Sequence, residues 1–233
     1  MFPSRRSIVC FDMFNENFSL SFDGNINHIK ITETEYDTDG NCSFVFWFKG
    51  PGVSISSNSW AILGSTAGGG LSKLYFVLTS GHLKLESDTN GDIANVTLNT
   101  NFSDALWHHY AVICTSGTLT CFQDGVSCSV SASGMGDDTT FDIIGGAGAT
   151  GEDNNLYGNL YNLATYNIAL SSAQITEIYN GKSNYNHLGG GVSGNLLNWW
   201  RVGDTVYDVS TSNNNGTMAG GMTSTNFSSD VPT

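Results

Sequence analysis

Cys42-Ser43-Phe44-Val45-Phe46-Trp47-Phe48 and Trp107-His108-His109-Tyr110-Ala111-Val112 are the two stretches whose reading decides the fold. Each is a brief run of aromatic and β-branched residues, far too short to cross a membrane and composed of strand formers. The same texture recurs outward from them, in short segments rich in Val, Ile, Phe, Thr and Tyr separated by Gly, Asn and Ser turns. Such spacing predicts strands at 18–22, 26–31, 42–49, 60–63, 74–78, 82–86, 107–114, 118–123, 126–131, 141–144, 158–166 and 196–202. Many short, turn-punctuated strands define an all-β protein, and the expected architecture is a two-sheet antiparallel jelly-roll sandwich with one short C-terminal helix. For that helix Ser171 is the N-cap, Gln174 completes a capping box, Ile175, Ile178 and Tyr179 supply apolar contacts, and Asn180-Gly181 ends it. One hairpin register is expected: a Gly117-Thr118 type II′ loop would set Cys114 opposite Cys121, as a packing contact or, after oxidation, a cross-link.

Composition narrows the function. The 233 residues suffice for one large all-β domain or two small ones. Three parts are expected: an N-terminal arm at 1–17 with apolar Phe2, Ile8, Val9, Phe11 and Phe14, a jelly-roll domain at 18–181, and a C-terminal extension at 182–233 with one strand-like segment and a polar tail. Lys plus Arg number 8 against 21 Asp plus Glu, a net charge of −13 that argues against nucleic-acid and anionic-membrane partners. No apolar run reaches the roughly 20 residues of a spanning helix, and no signal peptide is expected at the start. Five irregularly spaced cysteines, an odd number, fit a chain folded in a reducing cytoplasm with its thiols buried.

Several of these stretches together resemble the laminin G-like, concanavalin A-like lectin/glucanase superfamily. Ser19-Leu20-Ser21-Phe22-Asp23-Gly24 resembles its opening strand, 42–48 its central aromatic strand, and 107–112 its Trp-His-His-Val-Ala-Val signature. Phe122-Gln123-Asp124-Gly125-Val126 is similar to the turn that follows, and 144–146 to a later strand end. Residues 166–181 are similar to the closing strand and helix. Beyond them, 198–204, 207–210, 213–217 and 222–224 resemble segments that accompany this domain in structural proteins of tailed bacteriophages. The resemblance implies a virion structural protein, a capsid decoration or a fibre or tail component, made in the host cytoplasm and packed against other virion proteins or copies of itself. The alternative it implies is an adhesion module that recognises a host surface glycan.

A glucanase of this superfamily needs paired carboxylates on one strand face, and Glu86-Ser87-Asp88-Thr89-Asn90 has Asn in place of the third acid, so no enzyme is expected. His108 and His109 are adjacent on a strand and point to opposite faces, which excludes joint chelation; backbone is expected to satisfy at least one imidazole, and Trp107 to be partly buried. Calcium is the one cofactor with a candidate site, the oxygen-rich loop Glu152, Asp153, Asn154 and Asn155, where pentraxin relatives carry a calcium loop. Asp37-Thr38-Asp39-Gly40-Asn41 reads as a turn. Glycan contact would need aromatic platforms, for which Trp60, Tyr157, Tyr185 and Trp199 are the candidates, with Asn154 and Asn155 as polar partners.

Overall fold

A computed structural model describes residues 18–53, 59–66, 72–77, 80–87, 93–131, 135–148, 154–202 and 205–233; the segment 1–17 lies outside them. In chain order the strands are β1 (Ser19–Asp23), β2 (His28–Tyr36), β3 (Asn41–Lys49), β4 (Ser59–Gly64), β5 (Lys73–Val77), β6 (His82–Glu86), β7 (Ile93–Thr97), β8 (Trp107–Thr115) and β9 (Thr118–Gln123). There follow β10 (Val126–Ser127), β11 (Ser129–Ser131), β12 (Thr139–Ile144), β13 (Tyr157–Tyr166), helix α1 (Ser172–Gly181), β14 (Leu196–Val202), β15 (Val206–Asp208), β16 (Thr217–Ala219) and β17 (Phe227–Ser228). They form two antiparallel sheets. The first runs β10-β9-β8-β3-β13-β1-β17, with β14 also on β13 and β15 on β14; the second runs β11-β7-β6-β5-β4-β12-β2-β16.

The two deciding stretches are neighbouring strands, β3 and β8, paired from Asn41 with Thr115 to Lys49 with Trp107. Alternation sends Phe44, Phe46 and Phe48 of β3 between the sheets, where each is fully buried. At about 2–3 kcal/mol of hydrophobic stabilisation per buried Phe side chain, these three are a large share of the central drive. They interlock with the second sheet through Phe76, whose ring stacks on Phe102 at 4.6 Å and meets Phe48 at 5.0 Å. Val45 and Trp47 point the other way and are buried too, because α1 covers that outer face. Trp47 stacks on Tyr179 of the helix at 5.6 Å. A strand covered on both faces therefore reads as a continuous apolar run.

The helix begins where the capping box was read, with the Ser171 hydroxyl accepting from Gln174 N and the Gln174 side chain accepting from Ser171 N. Ile175 and Ile178 are its buried residues.

Two expectations are corrected. The β8–β9 loop is Ser116-Gly117, both at positive φ (47° and 72°), a type I′ turn, since Thr115 pairs with Thr118. The one-residue shift places Cys121 opposite Val112 and Cys114 opposite Leu119. On its β3 side Cys114 is paired with Cys42, and all four described cysteines are buried free thiols. The second correction concerns the C-terminal stretch. Its expected strand is β14, but three more follow: β15 on β14, β16 on β2 and β17 on β1, so residues 196–233 add strands to both sheets. Asp230 fastens the end. Its carboxylate meets Lys49 Nζ at 2.7 Å and accepts from Trp107 Nε1 at 2.9 Å.

Candidate functional site

The bulge in β13 creates the site. Asn162, at φ 57°, sits where the β3 register jumps from Tyr161–Trp47 to Ala164–Val45. At the same point the other edge of β13 changes partner, from β1 up to Leu160 to β14 from Leu163. Along β14, Asn198 and Trp200 turn inward, while Trp199 lies in the outer cluster beneath α1. Arg201, two residues from Trp199, shares its face, and its guanidinium carbon lies 5.1 Å from the indole centroid. Together with the turn at 183–186 and the strand β15, Trp199 and Arg201 line a cleft of about 620 Å³.

Rings and amides line it. Tyr161, Tyr185, Trp199 and Tyr207 contribute aromatic surface, and Asn184, Asn186, Asn213 and Asn215 contribute amides. Tyr207 is 37% exposed and Tyr185 half-buried, whereas Tyr161 and Trp199 are buried. Beneath the cleft, Trp199 Nε1 donates to Asn162 Oδ1, and Asn162 Nδ2 donates to His187 Nε2 at 3.2 Å. That leaves Nδ1 of His187 as the protonated nitrogen, donating to Tyr166 Oη. Burial, reinforced by the charges of His109 and Arg201, lowers the His187 pKa to about 3, so the ring is neutral there.

Asp208 builds the opposite wall. Its Oδ1 accepts from the backbone of Trp199 (2.9 Å) and Ser210 (3.0 Å), and its Oδ2 from Asn198 Nδ2 and Asn214 N (both 2.9 Å). Asn214 in turn pins the wall to the second sheet, accepting from Thr32 N at 2.6 Å and donating to Thr32 O at 2.9 Å.

The structure brings Tyr185 and Trp199 to one cleft and separates the other candidates from it. Trp60 is corrected as a platform: at 1% exposure, edge-on to Phe102 and Tyr157, its faces meet core rings and not solvent. Tyr157 is half-buried against that core. Trp199 is a floor and not an open platform, because Arg201 lies over its ring and His187 meets it edge-on at 4.9 Å. Of the calcium loop, Glu152 and Asp153 lie outside the described residues. The described half is a hydrogen-bonded turn: Asn154 O accepts from Ala61 N at 2.7 Å, Asn154 Oδ1 from Ser59 Oγ, and Asn155 Nδ2 donates to Asn25 O. Both oxygens of Asn154 therefore serve neighbours, whereas the bond of Asn155 to Asn25 is made by its amide nitrogen. Among the described residues one constellation brings acidic oxygens together, the exposed Asp37, Asp39 and Asp138. Asp37 there closes the β2–β3 turn on Asn41 N, as expected of a turn. Burial and the charges of Asp39, Asp37 and Glu35 raise the Asp138 pKa.

Trp107 is partly buried, as read, but the histidines differ from expectation. His108 is held by carboxylates and not by backbone, Nδ1 on Asp124 at 2.6 Å and Nε2 on Asp104 at 3.1 Å. The Asp124 bond raises its pKa against burial, helped by Asp104. His109, on the other face, is fully buried between Trp47 and Tyr179 with neither nitrogen bonded among the described residues, and burial lowers its pKa to about 4. Glu86 pairs across strands with Lys73 at 3.5 Å, and Asp88 lies outside the described residues. Tyr161, Arg201, Tyr207 and Asp208 were missed by sequence reasoning. Alternation through 198–202 was the available signal, since it places an arginine beside a tryptophan on one strand face.

Residues 23–176 match the Laminin_G_3 family of the concanavalin A-like lectin/glucanases superfamily, and the chain belongs to it. The family match stops short of Trp199, so most of the cleft is built by residues beyond it. Among solved structures, a Bacteroides ovatus protein described as a "putative carbohydrate binding protein" is similar, with TM-score 0.61 and 16% identity over 88% of this chain. This chain spans only 58% of that protein's length. A heptameric SAP-like pentraxin of Limulus polyphemus is similar with TM-score 0.59 and 17% identity, over 88% of this chain and 99% of the pentraxin. At such identities the likeness is one of fold. No curated protein matches the sequence.

Proposed function

We propose that this chain is a non-catalytic carbohydrate-binding domain whose ligand occupies the cleft between β14, β15 and the 183–186 turn. The observation that carries the reading is the lining of that cleft. Accessible rings of Tyr185 and Tyr207 stand beside asparagine amides in a volume of about 620 Å³. A pyranose offers an apolar face for the rings and hydroxyls for the amides, and the volume lies within the range of small-molecule sites. The lectin-like fold and the family membership agree with it.

The test is a screen of the intact protein against bacterial surface polysaccharides, once with calcium and once with chelator. Tyr185→Ala and Tyr207→Ala are run beside the parent. Saturable binding that both substitutions weaken, with unchanged folding, is expected. Binding indifferent to both would place the ligand elsewhere, and calcium-dependent binding would return attention to Glu152 and Asp153.

The setting we propose is the virion, where the domain would serve as a capsid decoration or a fibre or tail component. Its support is the sequence resemblance within 198–224, and its test is detection of the chain in purified particles.

A further inference from the structure

The two sheets meet at one corner where the chain crosses between them. Strand β10 ends the first sheet and β11 ends the second, and a single residue, Cys128, joins them. The β9–β10 hairpin sets that residue against Cys121. Val126 pairs with Gln123 and Ser127 with Phe122, and on the next rung Cys128 N donates to Cys121 O at 2.8 Å. A hydrogen-bonded antiparallel rung separates Cα atoms by about 5.5 Å, inside the roughly 4.4–6.8 Å that a disulfide spans. Both side chains lie in the core cluster between the sheets, and the Cys121 thiol is hydrogen-bonded to the Cys128 sulfur.

The two sulfurs are unequal. Cys121 is fully enclosed, whereas Cys128 is 8% exposed and its Sγ accepts from Asn99 Nδ2 at 3.5 Å. The hydrogen bond from Cys121 lowers the Cys128 pKa against burial, and the same bond, with burial, raises that of Cys121. Cys128 is thus the sulfur that ionises first and meets solvent first, as the attacking thiolate of a dithiol does. The other opposed pair, Cys42 and Cys114, is also hydrogen-bonded but has no exposed member, at 1% and 0%.

We propose that Cys121 and Cys128 are a redox pair, closed to a disulfide by a peroxide and reopened by a thiol reductant, which staples the corner between the two sheets. The Cys128 thiolate attacks one oxygen of hydrogen peroxide, the O–O bond breaks, and hydroxide leaves with the proton that Cys128 shed, as water. The Cys121 sulfur then attacks the Cys128 sulfenic acid, the S–O bond breaks, and the Cys121 proton leaves with that oxygen as a second water. The two thiols lose two electrons and the peroxide takes them. The bond secures β10 and β11, edge strands with a neighbour on one side only.

The experiment treats the intact, fully reduced chain with hydrogen peroxide under native conditions, then alkylates the remaining thiols in denaturant. Chymotrypsin cleaves after Phe122 and so leaves Cys121 and Cys128 on separate peptides unless they are bonded. The expected result is one joined pair of peptides that dithiothreitol separates, with Cys42 and Cys114 both alkylated. The oxidised protein should melt about 5 °C higher than the reduced one, and Cys121→Ser should abolish that shift. In Cys121→Ser the oxidation of Cys128 should stop at a sulfenic acid that dimedone traps. Alkylation of both Cys121 and Cys128 after peroxide overturns the proposal. So does a bond from either one to Cys10, Cys42 or Cys114, or oxidation of Cys128 beyond the sulfenic acid in the parent with no bond formed. If Cys121→Ser does not fold, the peptide map of the parent decides alone.

Discussion

Replacing Asp208 by Ala removes one acceptor group from four donors at once: the backbone N–H of Trp199, Ser210 and Asn214 and the amide of Asn198. All four residues are buried. A buried donor left without a partner costs about 1–3 kcal/mol, so the sum is roughly 4–8 kcal/mol after some water enters. That is comparable to the 5–15 kcal/mol or so by which domains are stable. Asp208→Asn is the more informative variant. It keeps the shape but turns one oxygen into a donor facing two donors, for an expected loss of roughly 2–4 kcal/mol. Urea unfolding followed by tryptophan fluorescence reads the effect at Trp199 and Trp200. With a slope near 2–3 kcal/mol per molar, the midpoint should fall by about 1 M for the asparagine variant. A midpoint within about 0.2 M of the parent, at unchanged slope, would show that the four-donor hub does not hold the wall.

Three further outcomes are expected. His109 and His187 are buried neutral with pKa values lowered to about 4 and about 3, so the unfolded chain takes up their protons first as the pH falls below about 6.5; stability should drop from there toward pH 4, and a thermal midpoint flat over that interval would refute it. His108 has the opposite sign, since its raised pKa gives stability that is full below about 6.5 and lost as the pH rises through the folded value; His108→Ala should therefore cost more at pH 6 than at pH 9. Gly117→Ala should destabilise by at least about 1–2 kcal/mol, because a side chain at φ 72° is strained and its Cβ would lie 2.6 Å from Met135 O; the denaturation midpoint measures it.

Much of the scaffold was legible because local rules and packing agree. His82–Glu86, Thr118–Gln123 and Leu196–Val202 are strands where alternation placed them, and the Ser171 capping box starts the helix. Strand β7 was not read. Its apolar signal is confined to a five-residue run, Ile93-Ala94-Asn95-Val96-Thr97. Nor were β15, β16 and β17, which are two or three residues long and hold their places through distant partners such as Asn214 on Thr32. The hairpin register failed by one residue because Ser116 adopts the positive φ that glycine alone was expected to take.

For the site, the aromatic residues were legible as types and their placement was not. Trp60 and Trp199 read alike in sequence. One fills the core between the sheets, and the other floors a cleft because a bulge at Asn162 lets β14 continue the edge that β1 leaves. The wall depends on Asp208, a buried carboxylate facing inward. Such a role is set by tertiary contacts from both sheets and has no local signature.

The measurement that bears most directly on the account is a titration of the intact protein with a polysaccharide that binds it in the screen, followed by tryptophan fluorescence, to which Trp199 in the cleft floor contributes. The account predicts a saturable change that is weakened in Tyr185→Ala and Tyr207→Ala. Saturable binding by other readouts that leaves this signal untouched and both variants at parental affinity would contradict it.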